Sequence, residues 1–163
     1  MIDNISWLAV YPEIVLLIMG CVIALVDLGV QSARRTATYA LTLLTMVVVA
    51  VLEAMYATSG NTFYGWGNMV VSDPMGNWLK CFASIAMVIT LIYGRPYAAD
   101  RGMLRGGGEL FTLSIFSLLG MFVMISANNF LMIYLGLELL TLSSYALVAL
   151  RRDHEGAVEA AMK

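Results

Sequence analysis

Five apolar stretches, each about as long as a bilayer is thick, dominate the chain. An α-helix rises 1.5 Å per residue, so about 20 apolar residues cross a hydrocarbon core of roughly 30 Å. Hydrophobic residues make up 61% of the 163 residues and charged residues 12%, and the mean hydropathy is +0.84. This composition is too apolar for an ordinary soluble domain. The sequence predicts an all-α integral membrane protein that passes through the bilayer several times.

Helix start and stop signals place the ends of the spans. Ser72 and Asp73 before Pro74 are typical of a helix start, and Gly94-Arg95-Pro96 is typical of a helix end. The predicted spans cover about residues 7–28, 36–56, 73–93, 109–127 and 129–150, and a sixth helix starts at about 156–163. The first span lacks a basic start, so we expect it to be retained and not cleaved as a signal peptide.

The basic residues predict the orientation. Seven of the nine lie in alternate connections, and the positive-inside rule makes that side cytoplasmic and the N-terminus external. They are Arg34, Arg35, Arg95, Arg101, Arg105, Arg151 and Arg152. The opposite connection, residues 58–71, contains aromatic residues and glycines, which suit the headgroup region.

Net charge and cysteine spacing exclude several classes of function. The net charge is −2 without a long basic or acidic run, so nucleic acid is not an expected partner, whereas the lipid bilayer is. Cys21 and Cys81 lie in apolar segments without metal-binding spacing, and we expect them to pack as small hydrophobic residues.

Three charged residues near the span ends have a simple interpretation, whereas a fourth, Lys80, has two. Glu13, Asp27 and Glu53 lie close enough to a span end to reach a headgroup region, where we expect them. Lys80 lies about seven residues past the start of the third span, roughly 10 Å deep. A lysine can extend to the interface from that depth, so both this and a functional role stay open.

Glu138 lies near the middle of the fifth span. It is about nine residues beyond Asn129, roughly 14 Å deep, where its side chain cannot reach water. Helical spacing predicts a stripe of hydroxyl groups around it, from Tyr134, Thr141 and Tyr145. An ionisable group at this depth favours a proton relay over a permanently neutral glutamate that joins two helices by hydrogen bonds.

The segment after the fifth span adds two candidates. Lys163 follows Glu159 by four residues at the start of the predicted sixth helix, where it is a solvated charge or, if apolar sequence follows, a membrane lysine. His154 lies in the charged turn and is either solvated or a proton donor from the cytoplasm.

The segment from Tyr134 to Lys163, YLGLELLTLSSYALVALRRDHEGAVEAAMK, resembles the antiporter-like membrane subunits of respiratory complex I, the bacterial NADH-quinone oxidoreductase. The shared features are an LG-E-L-LS pattern, a basic turn and an EA-x-x-K segment. The resemblance implies that Glu138 is the essential membrane glutamate of the family and that Lys163 is the lysine of the EA-x-x-K segment. It also implies proton pumping coupled to electron transfer from NADH to quinone.

The resemblance has further implications for organisation and partners. The family contains inverted repeats of helices. The resemblance implies that residues 1–108 are the leading three-helix segment and that residues 109–163 begin the first repeat. The chain would then be the N-terminal part of such a subunit. The chain would bind no cofactor and would not be catalytic alone. NADH, FMN, iron-sulfur clusters and quinone would act in the complex as a whole and not on this chain. The implied partners are other membrane-arm subunits, in the bacterial inner membrane.

Two alternatives remain at this point. One is a subunit of a related cation/proton antiporter or membrane-bound hydrogenase, which the sequence beyond Lys163 would distinguish. The other is a non-catalytic membrane scaffold in which Glu138 is structural. A charge-neutral substitution at Glu138 separates the scaffold from the pump.

Overall fold

Five long helices make up most of the fold. The computed structural model describes residues 7–30, 35–104, 107–150 and 159. In chain order the elements are α1 (Tyr11–Gly29), α2 (Thr36–Ser59), β1 (Phe63–Gly65), β2 (Val70–Ser72), α3 (Pro74–Asp100), α4 (Glu109–Ser126) and α5 (Phe130–Val148). All five helices are long and apolar enough to cross a membrane, which confirms the predicted all-α membrane fold. Of the predicted sixth helix, only Glu159 lies within the described residues.

A small β-hairpin between α2 and α3 was not predicted. Strands β1 and β2 pair antiparallel with Tyr64 opposite Val71. The turn between them places Trp66, Gly67 and Asn68 at positive φ, the left-handed region that residues other than glycine adopt infrequently. Asn128 donates a backbone hydrogen bond of 2.9 Å to the carbonyl of Met69, just before β2. The hairpin therefore ties the α2–α3 connection to the α4–α5 turn, at what we call the aromatic end of the bundle.

The third helix continues past the predicted stop at Gly94-Arg95-Pro96. Helix α3 includes Pro96 and ends at Asp100. A proline inside a helix removes one hydrogen bond and costs about 3 kcal/mol or more. The Arg95 guanidinium lies 4.1 Å from the centroid of the Tyr39 ring and donates a 3.0 Å hydrogen bond to Thr36 Oγ1. These contacts with α2 favour the helical path through the proline.

Asp27 lies at the opposite end, which we call the basic end, and joins three segments there. Its carboxylate accepts hydrogen bonds from Thr38 Oγ1 (2.8 Å) and the Gly108 backbone N–H (2.6 Å). The Arg35 guanidinium lies 3.1 Å from the same carboxylate. The predicted position at a span end is confirmed, but the side chain binds protein groups instead of facing the headgroups.

The core lies between α1, α2, α3 and α4. Helices α2 and α3 form one antiparallel pair, α4 and α5 form a second pair, and α1 packs against α2 and α4. The fully buried apolar side chains include Leu16, Ile23, Met46, Phe111 and Phe122. Helix α5 packs mainly on α4, so most of its apolar surface is exposed.

Two glycines allow α4 and α5 to approach at backbone distance. A Cβ atom at Gly120 would lie 2.7 Å from the Leu140 nitrogen and 2.9 Å from the Gly136 carbonyl oxygen. A Cβ atom at Gly136 would lie 2.9 Å from the Gly120 carbonyl oxygen. Small residues at such crossings are typical of helix pairs in membranes. This contact fixes α5, and with it Glu138, on the bundle.

We predict that Gly120→Ala separates α4 from α5 and destabilises the protein by about 1–3 kcal/mol, because the new methyl group overlaps backbone atoms that cannot move independently. Thermal unfolding of the purified protein in detergent measures the effect. Gly94→Ala in α3 is the matched control, because no atom lies within 4 Å of the position of its added Cβ. Equal unfolding temperatures for the two variants would contradict the proposed close crossing.

Candidate functional site

A buried ion cluster joins the helices at the aromatic end. The Lys80 ammonium nitrogen lies 2.6 Å from Glu13 Oε1 and 3.5 Å from Glu53 Oε1. Lys80 is 1% exposed, Glu53 0% and Glu13 7%. These three side chains come from α3, α2 and α1 respectively. Removing these charges from water costs free energy. The attraction between opposite charges at close range offsets that cost.

Glu13 is the most fully hydrogen-bonded carboxylate of the cluster. Its Oε1 atom accepts hydrogen bonds from Lys80 Nζ and from Ser126 Oγ, both of 2.6 Å. Ser126 is the last residue of α4, so this oxygen also connects the fourth helix to the cluster. Hydrogen bonds from two donors stabilise the ionised form of a carboxyl group.

Glu53 is buried but has no hydrogen-bond donor among the described residues. Both of its carboxylate oxygens lack a hydrogen-bond partner, and the same holds for Glu13 Oε2. The 3.5 Å separation from Lys80 is an ion pair and not a close hydrogen bond. Buried polar atoms without partners are uncommon in native structures and call for a physical explanation.

The start of α3 sets the position of Lys80. Asp73 caps this helix by accepting a hydrogen bond from the Gly76 backbone N–H, and Pro74 occupies the first turn. Two turns of helix then bring Lys80 inward, where its nitrogen lies 5.5 Å from the centroid of the Phe122 ring. A cation near an aromatic face gains further electrostatic stabilisation.

The structure corrects the expectation for two residues. Glu13 and Glu53 are buried and bind Lys80 inside the bundle instead of extending to a headgroup region. Lys80, for which two interpretations stayed open, is buried with them and does not extend to the interface. The sequence contained a signal for this cluster. Glu13 and Lys80 lie shortly after the starts of their predicted spans, and Glu53 lies shortly before the end of its span. These span ends are all predicted on the same side of the membrane. Opposite charges at a common depth on different spans indicate a buried pair.

A cleft leads to the cluster. It has a volume of about 210 Å³ and lies beside Glu13 and Ser126, with Trp66 and Val70 of the hairpin and Met132 of α5 on its walls. Most of its lining is apolar. Glu13 is thus the member of the cluster that lines the cleft, whereas Lys80 and Glu53 do not.

Glu138 occupies a different place. It lies midway along α5, is half-buried, and interacts with the hydroxyl of Tyr134 one turn earlier. Thr141 Oγ1 donates to the Glu138 backbone carbonyl (3.1 Å) and not to its carboxylate. Tyr134 and Tyr145 are both more than half exposed. The predicted hydroxyl stripe is thus only partly engaged with the acid.

The structure does not bring all the predicted site residues together. Lys80 pairs with the glutamates of α1 and α2 and not with Glu138 of α5. The predicted candidates Lys163 and His154 lie outside the described residues. Among the described residues, no group of three or more His, Cys, Asp or Glu side chains is arranged to hold a metal ion.

Five spanning helices with buried ionisable side chains define the chain as a multi-pass α-helical membrane protein. No protein-family model matches it. It is homologous over its whole length to NADH-quinone oxidoreductase subunit N of Polaromonas naphthalenivorans, with 74% identity over 163 residues. The predicted resemblance to this oxidoreductase is therefore confirmed.

Other relatives agree. Subunit N of Herminiimonas arsenicoxydans is 53% identical over 99% of the chain, and that of Cupriavidus taiwanensis is 46% identical over 94% of it. The aligned regions cover 32%, 33% and 31% of the three relatives. The chain thus spans about a third of the length of the curated relatives it matches.

We predict that Lys80→Met destabilises the protein by about 3–5 kcal/mol, because it leaves two carboxyl groups buried without their cation. Thermal unfolding in detergent measures the loss. Adding Glu13→Gln and Glu53→Gln to the same chain should recover most of the stability, since no buried charge then remains. A triple variant as unstable as Lys80→Met would mean that packing of the lysine chain, and not charge balance, is responsible.

Proposed function

We propose that the chain is the N-terminal part of a membrane-arm subunit of NADH-quinone oxidoreductase and takes part in proton translocation coupled to electron transfer from NADH to quinone. The observation that carries the proposal is the 74% identity over the entire chain to a protein named as subunit N of this oxidoreductase. The five spanning helices are in keeping with a membrane-arm location.

In this proposal Glu138 is the proton-relay carboxylate. It lies midway along a helix that packs mainly on α4, and its neighbours Tyr134 and Leu135 are exposed. The aligned region covers 32% of the Polaromonas relative, and we propose that a segment from the remaining part of such a protein covers this face of α5. A carboxylate between helices, near the middle of the bilayer, is a typical member of an intramembrane proton path.

Other residues have supporting roles in the proposal. Tyr134, Thr141 and Tyr145 line the helix around Glu138, and Lys163 is its relay partner. Residues 1–108 form a leading segment and residues 109–163 begin the repeat that carries the relay. The basic end faces the cytoplasm and the N-terminus faces outward.

The redox chemistry belongs to other subunits. NADH, FMN, iron-sulfur clusters and quinone bind elsewhere in the complex, and this chain contributes charge movement in the bacterial inner membrane beside its partner subunits. The chain acts as part of the translocase and has no catalytic activity alone. An antiporter or hydrogenase subunit and a non-catalytic scaffold are the alternatives that experiment must separate.

We expect Glu138→Gln in the full-length subunit to reduce proton pumping. Glutamine has nearly the same shape as glutamate, but its amide group cannot take up and release a proton. NADH-driven proton uptake by membrane vesicles, normalised to the amount of assembled complex, measures the effect. Glu109→Gln makes the same chemical change at the exposed start of α4 and should pump normally.

Normal pumping in Glu138→Gln would assign the glutamate a structural role and remove the relay from the proposal. Pumping lost together with assembled complex would equally oppose it, because it would make Glu138 a packing residue. Vesicles that lack NADH-driven uptake even with the unchanged chain would contradict the proposed complex itself.

A further inference from the structure

The buried cluster contains more negative than positive groups. Two carboxyl groups, Glu13 and Glu53, share the single ammonium of Lys80, which is the cation in both of the ion pairs that the structure shows for them. With both glutamates ionised, the cluster would carry a net charge of −1 in surroundings that are almost closed to water. An uncompensated buried charge is very unfavourable, and a proton is the simplest way to remove it.

The geometry distinguishes the two carboxyl groups. Glu13 accepts hydrogen bonds from Lys80 and Ser126, both of 2.6 Å, as an ionised carboxylate does. Neither oxygen of Glu53 accepts one from the described residues. A carboxyl group that lacks donors and is fully buried is best accommodated in its neutral form. The proton of the balanced cluster therefore belongs on Glu53.

We propose that Glu13, Glu53 and Lys80 form a buried site that holds one exchangeable proton, with Glu53 as its resting position and Glu13 as its contact with the cleft. The site is separate from Glu138 and lies at the aromatic end of α1, α2 and α3. It does not depend on the proposed pumping function, because charge balance and burial within the cluster carry it.

The proton moves by a balanced exchange through the lysine. Lys80 gives a proton to Glu13, and Glu53 gives its proton to Lys80, so one carboxylic acid is formed as the other is lost. Lys80 is again an ammonium after the step. Glu13, which lies beside the cleft, then passes its proton to water and becomes a carboxylate. The reverse sequence loads the site.

Among the residues that the structure describes, few other ionisable groups interact with the cluster. Tyr11 of α1 and Tyr56 of α2 lie close enough to interact electrostatically with each other, and Tyr56 also interacts with both glutamates. Cys81 of α3 interacts with Glu53. Phenol and thiol groups are ordinarily neutral at pH 7, so they do not balance the charge. Helix α4 contributes Ser126 and Phe122, which do not titrate.

Infrared spectroscopy of the purified protein in lipid vesicles at neutral pH tests the site through the carbonyl stretch of protonated carboxylic acids. We expect Glu53→Gln to remove the absorption of one carboxylic acid per chain. Glu13→Gln should remove one as well, because the remaining glutamate is then ionised and paired with Lys80. Lys80→Met should add one, since both glutamates then take up protons.

Glu109→Gln is the matched control and should leave the carboxylic-acid absorption unchanged, because Glu109 is exposed and lies outside the cluster. Transfer of the wild-type protein to D₂O should shift the absorption that Glu53→Gln removes, as expected for an exchangeable proton. A Glu53→Gln spectrum identical to the wild type would overturn the site. So would an absorption that does not shift in D₂O, because the proton would then be permanently enclosed.

Glu53→Gln nearly conserves shape and removes the excess charge, so this variant tests the proposal even if Lys80→Met fails to fold. The result is independent of Glu138. A loss of the carboxylic-acid absorption in Glu53→Gln combined with normal pumping in Glu138→Gln would support this site and oppose the relay role of Glu138. Unchanged absorption in Glu53→Gln combined with reduced pumping in Glu138→Gln would oppose this site and support the relay role.

Discussion

The attraction between one ammonium and two carboxyl groups organises the aromatic end of this bundle. Lys80 of α3 contacts Glu13 of α1 at 2.6 Å and Glu53 of α2 at 3.5 Å, and Ser126 extends the network to α4. Apolar packing alone gives little direction to helices in lipid, because the lipid tails are as apolar as leucine. A buried charge, by contrast, must find its counter-charge, so this cluster specifies which helices are neighbours and at what depth.

Most of the fold could be predicted because lipid restricts the choice of structure so strongly. Long apolar runs can be satisfied only as helices, and the five predicted spans agree with α1 to α5 apart from the end of α3. The signal at Pro96 is local, whereas the contacts of Arg95 with Thr36 and Tyr39 depend on the neighbouring helix. The hairpin turn was equally hidden, since Trp66 and Asn68, on either side of Gly67, also adopt the positive φ that residues other than glycine adopt infrequently.

The two candidate sites differed in how far they could be predicted from the sequence. Glu138 stands out because depth follows from counting along a single span. The Lys80 cluster needs a second kind of information, namely which spans touch, and hydropathy says nothing about this. Matching the depths of Glu13, Glu53 and Lys80 from the same membrane side would have indicated a pair. It could not have shown that Ser126 joins Glu13 or that Glu53 lacks a hydrogen-bond donor.

The sequence distance between Glu13 and Lys80 has a consequence for biosynthesis. The two partners are 67 residues apart. At about 5–20 residues per second, a ribosome needs roughly 3–13 s to make the intervening chain. During that interval Glu13, in the first turn of α1, is without its cation. The ion pair between α1 and α3 can therefore form only after α3 has been made.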